Sequence, residues 1–345
     1  MSMDSDRMDS LRGTRRRIEA IDLARGIALV AMAIYHFAWD LEFFGYLDLG
    51  TTSHGGWKLF ARAIASSFLF LVGVSLVLAH RGGIRPHPYL IRLAMVAAAA
   101  LAISLVTWFA VPGGFIFFGI LHQIALASVI GLAFLRLPWS VTLVAAALVI
   151  AAPHYLRSAA FDHPAWWWLG LSVSNPRSND YVPLFPWFGA VLAGIAATNF
   201  ACGAGILDRL GALRPGMWAR PLRFAGRHSL AVYLVHQPVL IACVWLFSQL
   251  VPPQTATPEA RFMGACNNSC GEIRTAEFCS MYCACVLDRL DADGLLDEAF
   301  AGSQDAGVTS RLNEIAGMCT IDADMTTAPE EGSEGGENGE GEPGR

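Results

Sequence analysis

Seven long apolar segments are the feature that most limits how this chain can fold. They lie near residues 21–41, 59–79, 90–111, 115–135, 138–156, 182–201 and 229–251. Each is close to the roughly 20 residues that a helix needs to cross the hydrocarbon core of a membrane. Only 15% of the 345 residues are charged, compared with about 25% in soluble domains. The sequence therefore predicts an all-α, polytopic transmembrane helix bundle of about seven spans, and it excludes an ordinary soluble enzyme.

Charge is distributed unevenly along the chain. Residues 1–256 contain 19 basic and 11 acidic residues, a net charge of +8, whereas residues 257–345 contain 5 and 18, a net charge of −13. The overall charge of −5 excludes a generally basic nucleic-acid binder. We divide the chain into a basic cytoplasmic N-terminus (1–16), a transmembrane domain (17–251), a cysteine-rich helical segment (257–322) and a disordered acidic tail (323–345).

The positions of the arginines predict the orientation of the spans. Arginines cluster before the first segment and in alternate loops: Arg12, Arg15, Arg16, Arg17, Arg81, Arg85, Arg136, Arg209, Arg214, Arg220, Arg223 and Arg227. Positively charged loops stay in the cytoplasm. We therefore expect a multi-pass protein of the bacterial inner membrane with a cytoplasmic N-terminus. Seven crossings place the C-terminal tail in the periplasm, and an eighth would place it inside.

The first segment carries charged and polar groups that are costly inside a membrane. Asp22 and Arg25 are three residues apart, and His36 and Asp40 are four apart, so each pair can meet on one helix face. Such groups are usually paired and often functional. Asp22 and Arg25 either anchor the helix end or bind an anion. A carboxylate beside His36 either holds a general base in one tautomer or forms a polar contact between helices.

Short motifs along residues 17–251 resemble a known family of membrane acyltransferases. The motifs are Asp22-Leu-Ala-Arg-Gly-Ile-Ala-Leu, His54-Gly-Gly-Trp57, Phe68-Leu-Phe-Leu-Val-Gly73, Phe118-Gly-Ile-Leu-His-Gln123, Pro183-Leu-Phe-Pro-Trp-Phe-Gly189 and Gly226-Arg-His-Ser-Leu-Ala-Val-Tyr-Leu-Val-His-Gln-Pro238. As a set they resemble the membrane catalytic domain of heparan-alpha-glucosaminide N-acetyltransferase. They are still more similar to a bacterial family of unknown function in the same group.

The resemblance implies an enzyme that moves an acetyl or other acyl group from cytosolic acyl-CoA to a sugar or cell-envelope glycan on the outer side, without a metal. The family's active histidine maps onto His54, and Arg25 and Asp22 become candidates for binding the donor. Lys58 and Ile64 stand where the eukaryotic enzyme has an asparagine and an acid. The working histidine, which acts as a general base or as a transient acyl carrier, is therefore His54 or His36. The alternative is a transporter or scaffold in the lipid bilayer whose charged stripe lines a substrate path.

Six of the eight cysteines lie in the acidic C-terminal part: Cys266, Cys270, Cys279, Cys283, Cys285 and Cys319. An even set in a small extracytoplasmic segment predicts three disulfides, with fifteen possible connectivities. Metal ligation is the alternative, although the spacing differs from that of standard zinc sites. Cys202 and Cys243 lie in or beside apolar segments, where we expect inert thiols.

Overall fold

All regular secondary structure in the described part of the chain is helical, as predicted. The structure, a computed structural model, describes residues 18–83, 85–174, 176–213, 215–253, 257–271, 273–301 and 305–327. The helices up to residue 250 are α1 (Glu19–Phe43), α2 (Gly55–His80), α3 (Pro86–Ala110), α4 (Ile120–Gly131), α5 (Trp139–Leu156), α6 (Leu184–Gly203), α7 (Ile206–Ala212), α8 (Arg220–Arg227) and α9 (Ser229–Leu250). Four more follow: α10 (Pro258–Cys270), α11 (Ala276–Ala292), α12 (Leu296–Ala301) and α13 (Ala306–Thr327).

Six of the described helices are long and apolar enough to cross a membrane, which makes this a multi-pass membrane protein. They are α1, α2, α3, α5, α6 and α9. The predicted fourth span, 115–135, differs: its apolar helix covers only Ile120–Phe134. Gly119 has an extended backbone, and the helix begins after it. At 1.5 Å per residue the helix reaches about 22 Å, short of the ~30 Å hydrocarbon core.

Residue contacts divide the chain into two units. The first comprises Met1–Asp40 and Lys58–Phe247, and the second comprises Leu41–Trp57 and Ser248–Arg345. The loop between α1 and α2 thus belongs to the same unit as the cysteine-rich segment. The four-part division drawn from the sequence stays a prediction. Its basic N-terminus, 1–16, lies outside the described residues, and of the predicted disordered tail only 323–327 are described, as the end of α13.

In the first unit, α2 and α6 cross at two glycines. A Cβ atom on Gly73 would lie 2.1 Å from the carbonyl oxygen of Val191, and one on Gly194 would lie 2.1 Å from that of Phe70. Small residues let membrane helices approach closely enough for backbone contact. The fully buried side chains of Leu69, Leu192 and Ile195 pack in the adjoining core. The close α2–α6 crossing therefore depends on both glycines.

Gly73→Ala is expected to destabilise the first unit by about 1–3 kcal/mol, because the added methyl group overpacks a backbone contact. Elsewhere in a helix the same change usually stabilises by up to about 1 kcal/mol. Gly203→Ala, where a Cβ atom meets nothing within 4 Å, is the matched control. Thermal unfolding in detergent should show a lower midpoint for Gly73→Ala and an unchanged or higher midpoint for Gly203→Ala. Equal midpoints for the two variants would contradict the crossing.

Three disulfides join the helices of the cysteine-rich segment, so the disulfide prediction is confirmed. Cys266–Cys283 and Cys270–Cys279 link α10 to α11, and Cys285–Cys319 links α11 to α13. The small core beside them contains the fully buried Leu290 and Ile315. Cross-links of this kind stabilise small domains whose core is too small to do so alone. With all six thiols used, the metal-ligation alternative is wrong. Cys202 and Cys243 are free thiols.

Candidate functional site

A cavity of about 1090 Å³ lies in the first unit, between residues of α1, α2, α3, α4 and α7. The described residues of its wall include four arginines: Arg25, Arg81, Arg85 and Arg92. Asp22 is the one carboxylate among them, and apolar side chains such as Leu76 and Ile124 complete the wall. The cavity therefore suits a ligand that has both anionic and apolar parts.

Arg25 is held in this wall by contacts with two helices. Its guanidinium lies 3.4 Å from the carboxylate of Asp22, the pairing predicted from their spacing, and it also donates to the hydroxyl of Ser75 on α2. Asp22 is 2% exposed. A Cβ atom on Gly226 would lie 1.8 Å from the carbonyl oxygen of Asp22, so α8 crosses α1 in backbone contact at this point. The contacts fix the position of one cavity arginine.

A second polar cluster lies between α1 and α9. The side-chain amide of Gln237 donates to Asp40 at 2.7 Å, and the ring centroids of His36 and His236 are 5.0 Å apart. Buried atoms of this cluster lack a hydrogen-bond partner among the described residues: His36 Nδ1, Asp40 Oδ2, His236 Nε2 and Gln237 Oε1. Unpaired polar atoms are costly in a membrane, so this cluster is a candidate for a functional role.

Of the two alternatives predicted for His36 and Asp40, the structure forms a polar contact between helices and not a hydrogen bond within the pair. Asp40 is completely buried, and its carboxylate bonds across to Gln237 of α9 rather than along α1. An i,i+4 spacing allows contact but does not require it, and here the neighbouring helix supplies a better donor. No carboxylate of the described residues therefore fixes the tautomer of His36.

In the second unit, Glu42 holds the turn that precedes His54. Its carboxylate accepts the N–H of Gly50 at 2.7 Å and the N–H and hydroxyl of Thr52 at 2.8 and 2.7 Å. Thr52 is completely buried. Gly50 has φ +86°, a conformation that favours glycine, and a Cβ atom there would lie 3.3 Å from the ring of His54. One carboxylate thus shapes the loop around the histidine.

The hydrogen bonds of His54 determine its tautomer. Its Nδ1 lies 2.7 Å from the carbonyl oxygen of Gly50, and its Nε2 lies 3.1 Å from the hydroxyl of Ser269 on α10. A carbonyl only accepts, so in the neutral ring Nδ1 carries the proton and Nε2 is the acceptor. This is the form in which an imidazole acts as a general base.

A family model described as heparan-alpha-glucosaminide N-acetyltransferase, catalytic, matches residues 17–238. The chain belongs to this family. The match confirms the family suggested by the sequence motifs and supports a membrane acyltransferase. Searches of curated proteins and of solved structures found no match. The matched region contains Asp22, Arg25, His36, Asp40 and His54, and it ends before the cysteine-rich segment.

Within the family region the structure brings some predicted site residues together and separates others. Asp22 and Arg25 share the cavity wall, whereas His36 and Asp40 lie in the cluster with Gln237. His54 belongs to the second unit. Sequence reasoning missed Arg92, Glu42 and Ser269. Arg92 follows Arg85 by seven residues, which is two helical turns, so helical periodicity could have placed both on one face. Glu42 and Ser269 gave no sequence signal.

Asp180, three residues before the motif that begins at Pro183, contacts the motif of residues 118–123. Its carboxylate accepts the N–H of Ile120, the first residue of α4, at 2.9 Å, and a Cβ atom on Gly119 would lie 2.3 Å from it. Burial raises the pKa of Asp180 to about 6. Because this pKa lies above that of the unfolded chain, the protonated form stabilises the fold, and that stabilisation is lost as the pH rises through about 6.

Asp180→Asn is expected to raise the thermal unfolding midpoint by a few degrees at pH 7.5 and by about half as much at pH 5, because the unfolded chain already ionises at pH 5. The amide oxygen of the variant can still accept the N–H of Ile120. The substitution removes the carboxylate charge that the folded wild type buries at the higher pH. The measurement compares variant and wild-type unfolding at both pH values in the same detergent. A midpoint difference that is the same at pH 5 and pH 7.5 would contradict the assignment.

Proposed function

We propose that the protein is an integral membrane acyltransferase that moves an acetyl or other acyl group from cytosolic acyl-CoA to a sugar or cell-envelope glycan on the outer side. The observation that carries the proposal is the arginine-lined cavity within the matched family region. Coenzyme A carries several phosphate charges on a long, less polar arm that ends in the thioester. A cavity with four arginines and apolar walls has the chemistry to bind both parts.

The arginines suit phosphates better than lysines would. A guanidinium offers several donors in a planar fork and stays charged at all physiological pH values. Arg81 and Arg85 are exposed, which leaves them accessible to a soluble donor. The partly buried pairing of Arg25 with Asp22 supports a rigid wall against which the arm of the donor can lie.

We assign His54 as the general base. Its Nε2 takes the proton from the acceptor hydroxyl or amine as that group attacks the acyl carbonyl, and the CoA thiolate leaves and is protonated. The fixed tautomer of His54 supports this choice, since Nδ1 is occupied by the carbonyl of Gly50. His36 lacks such a partner on Nδ1 among the described residues.

Contacts within the second unit support an outward position for His54 and the tail. The hydroxyl of Tyr46 donates to the carbonyl of Val251, so the α1–α2 loop and the end of α9 lie on one side of the membrane. Five long helices and the short α4 region lie between them in the chain, and we therefore propose that residues 115–134, although their helix is short, supply a sixth crossing. Disulfides form in oxidising compartments, which supports the periplasmic side of a bacterial inner membrane.

A transporter or scaffold is the alternative function, and the cluster of His36, Asp40 and His236 would then line its path. The two proposals differ in acyl-CoA chemistry. The purified full-length protein is mixed with acetyl-CoA and either glucosamine or glucose, and free CoA and acetylated sugar are measured. The proposal predicts acceptor-dependent release of CoA in equal amount to acetylated sugar. Absence of both acetyl-CoA binding and turnover would contradict it.

A further inference from the structure

We propose that Ser269, in the cysteine-rich segment, is an acyl-carrying nucleophile that His54 activates. This inference rests on the proposed function for the source of the acyl group. The segment lies beyond the family match, which ends at residue 238. Ser269 and His54 are 215 positions apart in the chain, and they meet inside the second unit.

The direction of the hydrogen bonds supports a nucleophile–base pair. The carbonyl of Gly50 can only accept, so the proton of a neutral His54 sits on Nδ1. Nε2 then has only a lone pair, and the hydroxyl of Ser269, 3.1 Å away, must donate to it. A hydroxyl that donates to an imidazole whose other nitrogen is oriented by an acceptor is the arrangement of activated serine nucleophiles.

Further contacts hold the pair in place while leaving the nucleophile accessible. Ser269 is exposed and His54 is half-buried. Glu42 fixes Gly50 and Thr52, and the turn of Gly50 accommodates the ring of His54. On the other side, Ser269 precedes Cys270, whose disulfide to Cys279 ties the end of α10 to α11. The hydroxyl and the imidazole are thus held from two directions.

The reaction conserves atoms and charge in two steps. His54 Nε2 takes the proton of Ser269 as Oγ attacks the acyl carbonyl of a thioester or activated ester, and it returns that proton to the leaving thiolate or alkoxide. The acceptor hydroxyl or amine then attacks the acyl-serine ester. His54 takes the acceptor proton and delivers it to Oγ, which restores Ser269. No oxidant, reductant or metal is needed.

The test uses probes that bypass acetyl-CoA. The full-length protein is treated with a fluorophosphonate and, separately, with p-nitrophenyl acetate, and the modified residue is located by peptide mass spectrometry. We expect modification of Ser269 and a burst of p-nitrophenolate that is stoichiometric with protein. His54→Ala should slow both by about 100-fold or more, and Ser269→Ala should abolish both. Ser280→Ala, which removes an exposed hydroxyl beside the other cysteine of the same disulfide, should change neither.

Two comparisons separate this proposal from the proposed function. If the probes modify Ser269 but the protein does not consume acetyl-CoA, the result supports the pair of Ser269 and His54 and contradicts acetyl-CoA as the donor. The nucleophile–base pair of Ser269 and His54 is overturned if Ser269→Ala turns over acetyl-CoA at the wild-type rate. It is also overturned if the probes modify Ser269 no faster than Ser280. Either result leaves the proposed function standing. Thermal unfolding of Ser269→Ala and Ser269→Thr checks that the segment is still folded, and Ser269→Thr should retain part of the burst.

Discussion

Replacement of His54 by alanine is expected to reduce acyl transfer by about 1000-fold, while the Kd for acetyl-CoA changes less than about twofold. Removal of a general base typically costs a factor of 10² to 10⁴, and the described wall of the proposed donor cavity contains no residue of the His54 loop. The measurement pairs initial rates of acetylated-sugar formation with equilibrium binding of acetyl-CoA. His154→Ala, which removes an exposed histidine at the end of α5, is the matched control and should retain the full rate.

The same experiment decides between His54 and His36. His36→Ala is expected to lower the rate by less than about tenfold, because no described residue bonds to its Nδ1 and orients it as a base. A larger loss in His36→Ala than in His54→Ala, in protein with a wild-type unfolding midpoint, would reverse the assignment. The working site would then be the cluster of α1 and α9.

The double variant Arg81→Ala/Arg85→Ala is expected to weaken acetyl-CoA binding by about 100-fold. Each hydrogen bond to a charged group contributes about 1.5–3 kcal/mol, and two lost contacts at the lower end of that range correspond to roughly this factor. S-acetylpantetheine, which has the thioester arm but no phosphate, provides the discriminating ligand. Its affinity should be the same for the double variant and the wild type, because these arginines would contact only phosphates.

Arg136→Ala is the matched control for the cavity, since Arg136 is an exposed arginine that does not line it. It should bind both ligands with wild-type affinity. Raising the salt concentration should weaken acetyl-CoA binding more in the wild type than in the double variant, because screening acts on the charges that the variant lacks. An equal loss of affinity for acetyl-CoA and S-acetylpantetheine would show that the two arginines do not recognise phosphate.

The sequence predicted those features of the structure that depend on residues close together in the chain. The apolar lengths of α1, α2, α3, α5, α6 and α9 predicted six spans close to their observed bounds, since span length depends only on the membrane thickness. Asp22 and Arg25 paired as their spacing indicated. The even number of cysteines predicted disulfides, but the connectivity depends on how α10, α11 and α13 fold together.

Features that depend on distant parts of the chain could not be predicted. Asp40 accepts a hydrogen bond from Gln237, 197 residues away, and not from His36 on its own helix. The spacing of residues along one helix carries no information about the side chains of a neighbouring helix. The extended backbone at Gly119 shortened the predicted fourth span, because hydropathy does not detect where a helix begins. The contact between His54 and Ser269 joins a loop to a segment that lies outside the family match.

The most direct test of the account measures acyl transfer across the membrane. Sealed vesicles of known orientation receive acetyl-CoA with a labelled acetyl group only on the side of Arg81 and Arg85, and glucosamine only on the side of His54. We expect labelled acetyl-sugar on the His54 side, free CoA on the arginine side, and loss of the product in His54→Ala. Acetyl-sugar that forms only when both substrates share one compartment, or no transfer at all, would contradict it.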